Sequence, residues 1–318
     1  MPAGGPKPQL TPAGFPAMIE AGGTASAGPV LPFPRKATRM ATSSRKPAAK
    51  AAKKPARRLC ALAAQLYTVR DHLKTTAELD AALRRVAKIG YRFVELCAFP
   101  GTDHPTAKAL LDKHGLRAIG MHAGYQDWLG KFGEMLAVTR LYGFHHSAIP
   151  WIGGEFRGSA ANWKKTAKAF TELGRKMAKE GVQLQYHNHH FEFERFDGKM
   201  GLDILYSAAD KKALKAQLDL AWVARGLQSP AEWILRLKGR VDQLHFKDLA
   251  ILNTPEGQTR DKLSEIGNGN LDWKAIVAAA RKVKAQDLIV EQDADFLGGD
   301  PFRSLEASYR FLSRMGLK

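Results

Sequence analysis

No run of 18 or more apolar residues occurs in the 318-residue chain, which excludes a hydrophobic helix that spans a membrane. Cysteine is almost absent, with Cys60 and Cys97 the only two. Strand alternation turns Cys60 out of its sheet and Cys97 inward, so the two make poor disulfide partners. Two free thiols in a chain of this size suit a reducing interior, and the cytoplasm is the expected compartment. No glycine-rich fingerprint follows the first strand-like run, which argues against a dinucleotide-binding fold. Acids are scarce at one end: residues 1–58 hold 11 lysines and arginines against a single acid, Glu20. That segment carries +10 of the net charge of +18, and the rest, with 38 basic and 30 acidic groups, carries +8.

The basic segment is rich in Ala, Pro, Gly and Ser and has no sustained apolar periodicity. It cannot bury enough surface to offset ordering entropy, so residues 1–58 are expected to be a disordered tail. Its charge suits weak, nonspecific polyanion binding. A functionally silent tail, or a start at Met40, is the plainer reading. Arg57-Arg58 precede an apolar run as in a twin-arginine signal, but Gln65 breaks that run and a first strand fits it better.

From residue 59 short apolar runs alternate with longer amphipathic stretches. Strands are predicted at 60–67, 91–98, 116–123, 145–150, 182–189, 214–220, 241–247 and 287–292. Helices are predicted near 75–89, 105–114, 126–142, 161–180, 200–210, 230–238, 271–284 and 301–314, with a long loop over 250–270. Thr75-Thr-Ala-Glu78 resembles a capping box. Eight strand–helix units in about 260 residues match a (β/α)8 barrel, usually roughly 250 residues long. The expected class is therefore an α/β TIM barrel over residues 59–318, behind the tail.

In such a barrel catalytic groups come from the C-terminal ends of strands, and side chains alternate inward and outward. Strand five ends in His187-Asn188-His189-His190 and strand six in Gln217-Leu-Asp219. Strand seven ends in His245-Phe-Lys247 and strand eight in Glu291-Gln292. Four consecutive strands thus each deliver an imidazole or carboxylate to one rim. A charged carboxylate at the end of an apolar strand is costly to desolvate unless paired or bound to a metal. Mixed nitrogen and oxygen donors suit Mn, Co, Fe or Zn, and the lack of thiolates argues against a structural zinc site. The same alternation aims His122 at the mouth as a substrate contact or proton shuttle. Glu95 is read as an acceptor for a substrate hydroxyl, and Lys247 as the binder of an oxyanion or carbonyl oxygen. Trp151, Trp222 and Phe193 could form an apolar wall beside the substrate. Gly267-Asn-Gly269, ahead of a helix, could hold an anion.

Residues 60–316 resemble the sugar isomerase and epimerase barrels related to xylose isomerase and inosose dehydratase. The resemblance rests on Gln65-Leu-Tyr-Thr-Val-Arg70-Asp71, Tyr186-His-Asn-His189-His-Phe-Glu192-Phe and Gln217-Leu-Asp219-Leu-Ala-Trp222. His245-Phe-Lys247-Asp248, Gly267-Asn-Gly269-Asn-Leu-Asp272 and Val290-Glu291-Gln292-Asp293 complete it. It implies one divalent metal ion, manganese foremost with Mg, Co, Fe or Zn as alternatives, on His187, Asp219, His245 and Glu291. Many relatives carry Glu where this chain has His187, which weakens a symmetrical two-carboxylate epimerisation. The Asp usual after the His-Asn-His run is also replaced, by His190.

The chemistry so implied is proton abstraction next to a carbonyl on a sugar, keto-sugar or cyclitol, in an isomerase or epimerase. Glu291, His189 and Lys247 are its expected catalytic residues, with Glu95, His122, Trp222 and Glu192 around the substrate. Loss of a leaving group from the same enediolate would instead make a dehydratase or lyase. Two rivals differ in kind. The basic tail would suit a DNA phosphodiesterase resembling endonuclease IV, but strand one ends in Tyr67 and Thr68 and no full ring of ligands appears. A catalytically dead sugar-binding barrel is the other, and metal content separates the three.

Overall fold

In a computed structural model of the protein, residues 61–317 are described. The expectations for the tail, residues 1–58, and for Cys60 lie outside the described residues. Eight parallel strands close into one barrel in chain order. They are β1 (Ala61–Gln65), β2 (Phe93–Leu96), β3 (Arg117–His122), β4 (His146–Ile149), β5 (Gln183–His187), β6 (Leu214–Asp219), β7 (Val241–Phe246) and β8 (Asp287–Val290). β8 pairs with β1, so no strand edge is left in the barrel.

The helices form where the sequence signals them. α1 (Thr76–Ile89) opens on a complete capping box between Thr75 and Glu78 and buries Leu79, Ala82, Leu83 and Val86. α2 (His104–Lys113) is capped by Asp103. The helix predicted over 126–142 is two, α3 (Tyr125–Gly130) and α4 (Phe132–Tyr142), interrupted at Lys131, whose backbone leaves the helical range. α5 (Ala160–Lys179) and α6 (Gly201–Ala208) flank β5. α7 (Leu220–Arg225) was not predicted; it starts directly from Asp219, whose carboxylate accepts from the Trp222 amide. α8 (Pro230–Arg236), α9 (Trp273–Val283) and α10 (Pro301–Arg314) complete the ring.

The predicted loop over 250–270 is a correction. Asp248–Asn253 and Thr259–Ser264 pair antiparallel as a hairpin beyond β7. Its turn, Thr254-Pro-Glu-Gly257, places Gly257 at φ 77°, where glycine is favoured. That turn signal was present in the sequence.

Strand alternation sorts the barrel into an apolar outer face and a polar lumen. Leu184, Leu218, Leu244, Leu288 and Val290 pack in the hydrophobic core beneath the helices. The lumen holds Gln65, Glu95, Gln185, Gln217 and Gln243, all fully buried. Such amides are tolerated because most are bonded to one another across the lumen: Gln217 Nε2 donates to Gln185, Gln243 and Glu95. This polar layer is the floor on which the candidate site stands.

Candidate active site

The ends of β5 to β8 bring His187, Asp219, His245 and Glu291 together, with one donor atom from each lying within 4.8 Å of all the others. Pairing sets Asp219 level with His245 and Ile289 level with His245, so Glu291 stands one inward step higher. All four are buried. Asp219 is fixed from outside by Asn188, whose side-chain oxygen accepts from the Asp219 amide at 3.0 Å. His187 sets Nε2 3.8 Å from Asp219 Oδ2, and its Nδ1 is buried without a hydrogen-bond partner. Two imidazoles and two carboxylates form a donor set suited to a divalent ion.

The surrounding charges are dense. Lys247, fully buried, places its ammonium 2.9 Å from Asp219, 2.8 Å from Glu291 and 2.9 Å from Asp293. Burial opposes that charge, but Asp219, Asp293 and Glu291 overcome it and hold the ammonium well above its ordinary value. His245 lies between two carboxylates, with Nδ1 2.9 Å from Glu291 and Nε2 2.7 Å from Glu95. Burial works against protonation there too, yet Glu95 and Glu291 push the imidazole up to about 10. Burial raises Asp219, with Lys247 pulling the other way. Glu291 shows the opposite balance: against burial, Lys247 and His245 hold it well below the carboxylate range.

Two residues expected at the substrate are fully buried. Glu95 is fully buried under the cluster, and its oxygens meet Gln65, Gln217 and His245 at 2.6–2.7 Å and His122 at 3.2 Å. Glu192 is also fully buried; its Oε1 accepts from the Tyr186 hydroxyl at 2.7 Å and the His189 amide at 2.8 Å. Burial pushes Glu192 up to about 7. Neither carboxylate is exposed, and Glu192 Oε2 is buried without a hydrogen-bond partner. His122 does border the cluster, stacked on His245 at 5.1 Å and accepting or donating at 2.8 Å to Gln217, with part of its ring exposed.

The mouth is aromatic. Trp151, 52% exposed, meets His189 and Phe191 edge-on, while His189 stacks parallel on Phe191 and leans on Trp222. Phe193, expected in this wall, instead packs on Trp233, and Phe191 takes its place. Burial first, then Lys247, hold His189 down to about 3, so its ring is neutral. Trp222 Nε1 is buried without a partner.

Gly267-Asn-Gly269 does not present free amides to an anion. Gly267 and Gly269 donate to Asp248 at 2.9 and 3.2 Å, joined by the Trp273 indole at 2.6 Å. A Cβ on Gly269 would stand 2.2 Å from Asp248, so glycine is required for this close approach. Asp293, Gln65 and Gln217 were given no role from sequence, although Asp293 stands two residues past Glu291, as Lys247 stands two past His245. The same alternation would have found it.

Residues 83–314 match the family model described as xylose isomerase-like TIM barrel, and the chain belongs to that family. No curated protein matches it. Among solved structures it is similar to a sugar phosphate isomerase/epimerase from Parabacteroides distasonis, at 22% identity and TM-score 0.66, over 82% of this chain and 96% of that one. It is also similar to D-allulose 3-epimerase from Methylomonas sp. in complex with D-allulose, at 16% identity and TM-score 0.57, over 81% and 97% of the two chains. A third is described as the probable 3-DHS dehydratase of petrobactin synthesis from Bacillus anthracis, at 12% identity and TM-score 0.59, over 80% and 98%. At these identities the likeness establishes the fold.

Proposed function

We propose that this protein is a divalent-metal-dependent isomerase or epimerase acting on a sugar, keto-sugar or cyclitol by removing a proton beside a carbonyl. The observation that carries the reading is the convergence of His187, Asp219, His245 and Glu291 at the C-terminal end of the barrel, with donor atoms within 4.8 Å of one another. These four would hold one ion, manganese foremost, with Mg, Co, Fe or Zn also accommodated by nitrogen and oxygen donors. When bound, the ion supplies a Lewis acid that polarises a carbonyl and its neighbouring hydroxyl.

The protein's own groups do the rest. Lys247 presents a positive charge where negative charge develops on a substrate oxygen. His189, at the mouth, and Glu291 are the two candidates to take the proton from carbon, although the burial and the Lys247 charge that keep His189 neutral also weaken it as a base. Glu95 orients His245 from below, as carboxylates behind metal-binding imidazoles do. Trp222 and His122 border the ring's place, with Trp151 and Phe191 shielding it from water. Glu192 acts through the His189 backbone that it holds.

A dehydratase or lyase is the second reading, because His187 stands where a second proton-transferring carboxylate would be needed for symmetrical epimerisation. The test is a panel of keto-sugars and inososes incubated in deuterated water with manganese and followed by NMR. Exchange at one carbon with isomer formed supports the proposal. Loss of water or of a glycosidic group moves it to the second reading. No exchange on any member of the panel overturns both.

A further inference from the structure

Lys247 touches two members of the proposed metal set and one carboxylate outside it. Its side chain is 1% exposed. Asp219 and Glu291 belong to the four-residue cluster, whereas Asp293 does not and has a side chain 23% exposed at the cluster's edge. The Asp293 backbone is held in turn by Arg70, which donates to its carbonyl at 2.9 Å. All three carboxylates lie at hydrogen-bond distance from one ammonium.

We infer that Lys247 is a resident cation that competes with the divalent ion for Asp219 and Glu291, and that Asp293 is the seat that keeps the ammonium when the ion is bound. This rests on reading the cluster as a metal centre. Buried carboxylates without a cation are strongly unfavourable, so some positive charge is needed between Asp219 and Glu291 whether or not an ion is present. The ammonium supplies it in the unloaded barrel. A divalent ion on the same oxygens repels an ammonium 2.8–2.9 Å from them. Lysine's flexible four-carbon stem lets the charge withdraw without moving the strand. The Asp293 contact, already formed, means that withdrawal need not strand the charge. The unloaded fold is thereby protected, and the ion is held less tightly than its four donors alone would hold it.

The rival is a lysine that serves only a substrate oxygen and has no bearing on metal affinity. Two substitutions separate the ideas because their effects have opposite signs. Lys247→Met removes the competitor, so the manganese Kd should tighten by about 10-fold, the size seen when groups behind a metal site are changed. Its unloaded form should melt lower than wild type, and manganese should raise its Tm by more. Asp293→Asn removes the outer seat and leaves the ammonium on Asp219 and Glu291, so the Kd should weaken. Titration calorimetry with manganese chloride and thermal melts of the full chain read both. A Lys247→Met protein with unchanged or weaker affinity, or two variants shifting the same way, overturns the inference. Should Lys247→Met fail to fold, Asp293→Asn decides alone: weaker binding supports the inference and unchanged or tighter binding overturns it. In that event the metal reading survives as long as wild type binds manganese and His187→Ala does not. If wild type binds none, both fall.

Discussion

Strands β5 to β8 and strands β1 to β4 share one barrel but present different chemistry at its C-terminal rim. The second half ends in His187, Asp219, His245 and Glu291, with Lys247 one step beyond. The first half reaches the same place with Glu95, which bonds to His245 and is held by Gln65, and with His122, which bonds to Gln217 and lies beside His187 and His245. The candidate centre is therefore made mainly by one half and braced from the other through Glu95. A buried group in the first half can thus matter to chemistry without touching the substrate.

Breaking the second half should have the largest effect. His187→Ala is expected to lose bound metal, turnover and the stability that metal binding adds, because an ion that binds only the folded state stabilises it. Metal analysis beside a thermal melt reads both, and one equivalent of manganese at unchanged affinity would move this ligand position to His189 or Glu192. His187→Glu sharpens the point: the metal should stay while the deuterium-exchange pattern changes, since the imidazole is gone. Lys247→Met should lower kcat/KM by roughly 10²-fold, as loss of one electrostatic stabiliser does.

Breaking the first half should cost less. Glu95→Gln keeps the shape but removes the charge under His245, and manganese binding is expected to weaken by about 10-fold or more while the fold persists. Unchanged affinity would show that the first half holds nothing. Glu192, outside both sets, tests the comparison through pH. Its folded-state value is pushed by burial to about 7, from an ordinary 4.5. A raised carboxyl favours the protonated form, so the stability present below pH 4.5 is lost as pH rises through 7. Glu192→Gln should therefore match wild type near pH 4.5 and melt higher at pH 8, by at least about 2 °C. A difference that is the same at both pH values would contradict this. The smallest effect is expected from removing residues 1–55, which should leave turnover and Tm almost unchanged, as a segment without sustained apolar periodicity would. A fall of several degrees would contradict that.

The barrel was legible because its strands and helices carry different periods, and the four strand ends because each puts an imidazole or carboxylate at the close of an apolar run. Depth was harder to read. Glu95, flanked by Val94 and Leu96, has the same sequence pattern whether it meets a substrate or a buried imidazole. Only the pairing of β2 with its neighbours puts it a layer down, in line with Gln65. Glu192 was hard to place for a related reason: the chain leaves β5 in a short 3-10 turn, Phe191–Phe193, where strand alternation no longer applies. The hairpin beyond β7 was missed because its second strand, Thr259–Ser264, is mostly polar, although the first carries Leu249-Ala-Ile-Leu252 and Pro255 and Gly257 marked the turn.

Metal stoichiometry tests the account most directly. Wild-type protein and the four single alanine variants at His187, Asp219, His245 and Glu291 would be dialysed against manganese and measured by mass spectrometry. One equivalent in wild type, and a loss in each variant, is the expected result. Two or more equivalents in wild type, none at all, or full retention by the variants would contradict a single ion held by the ends of β5 to β8.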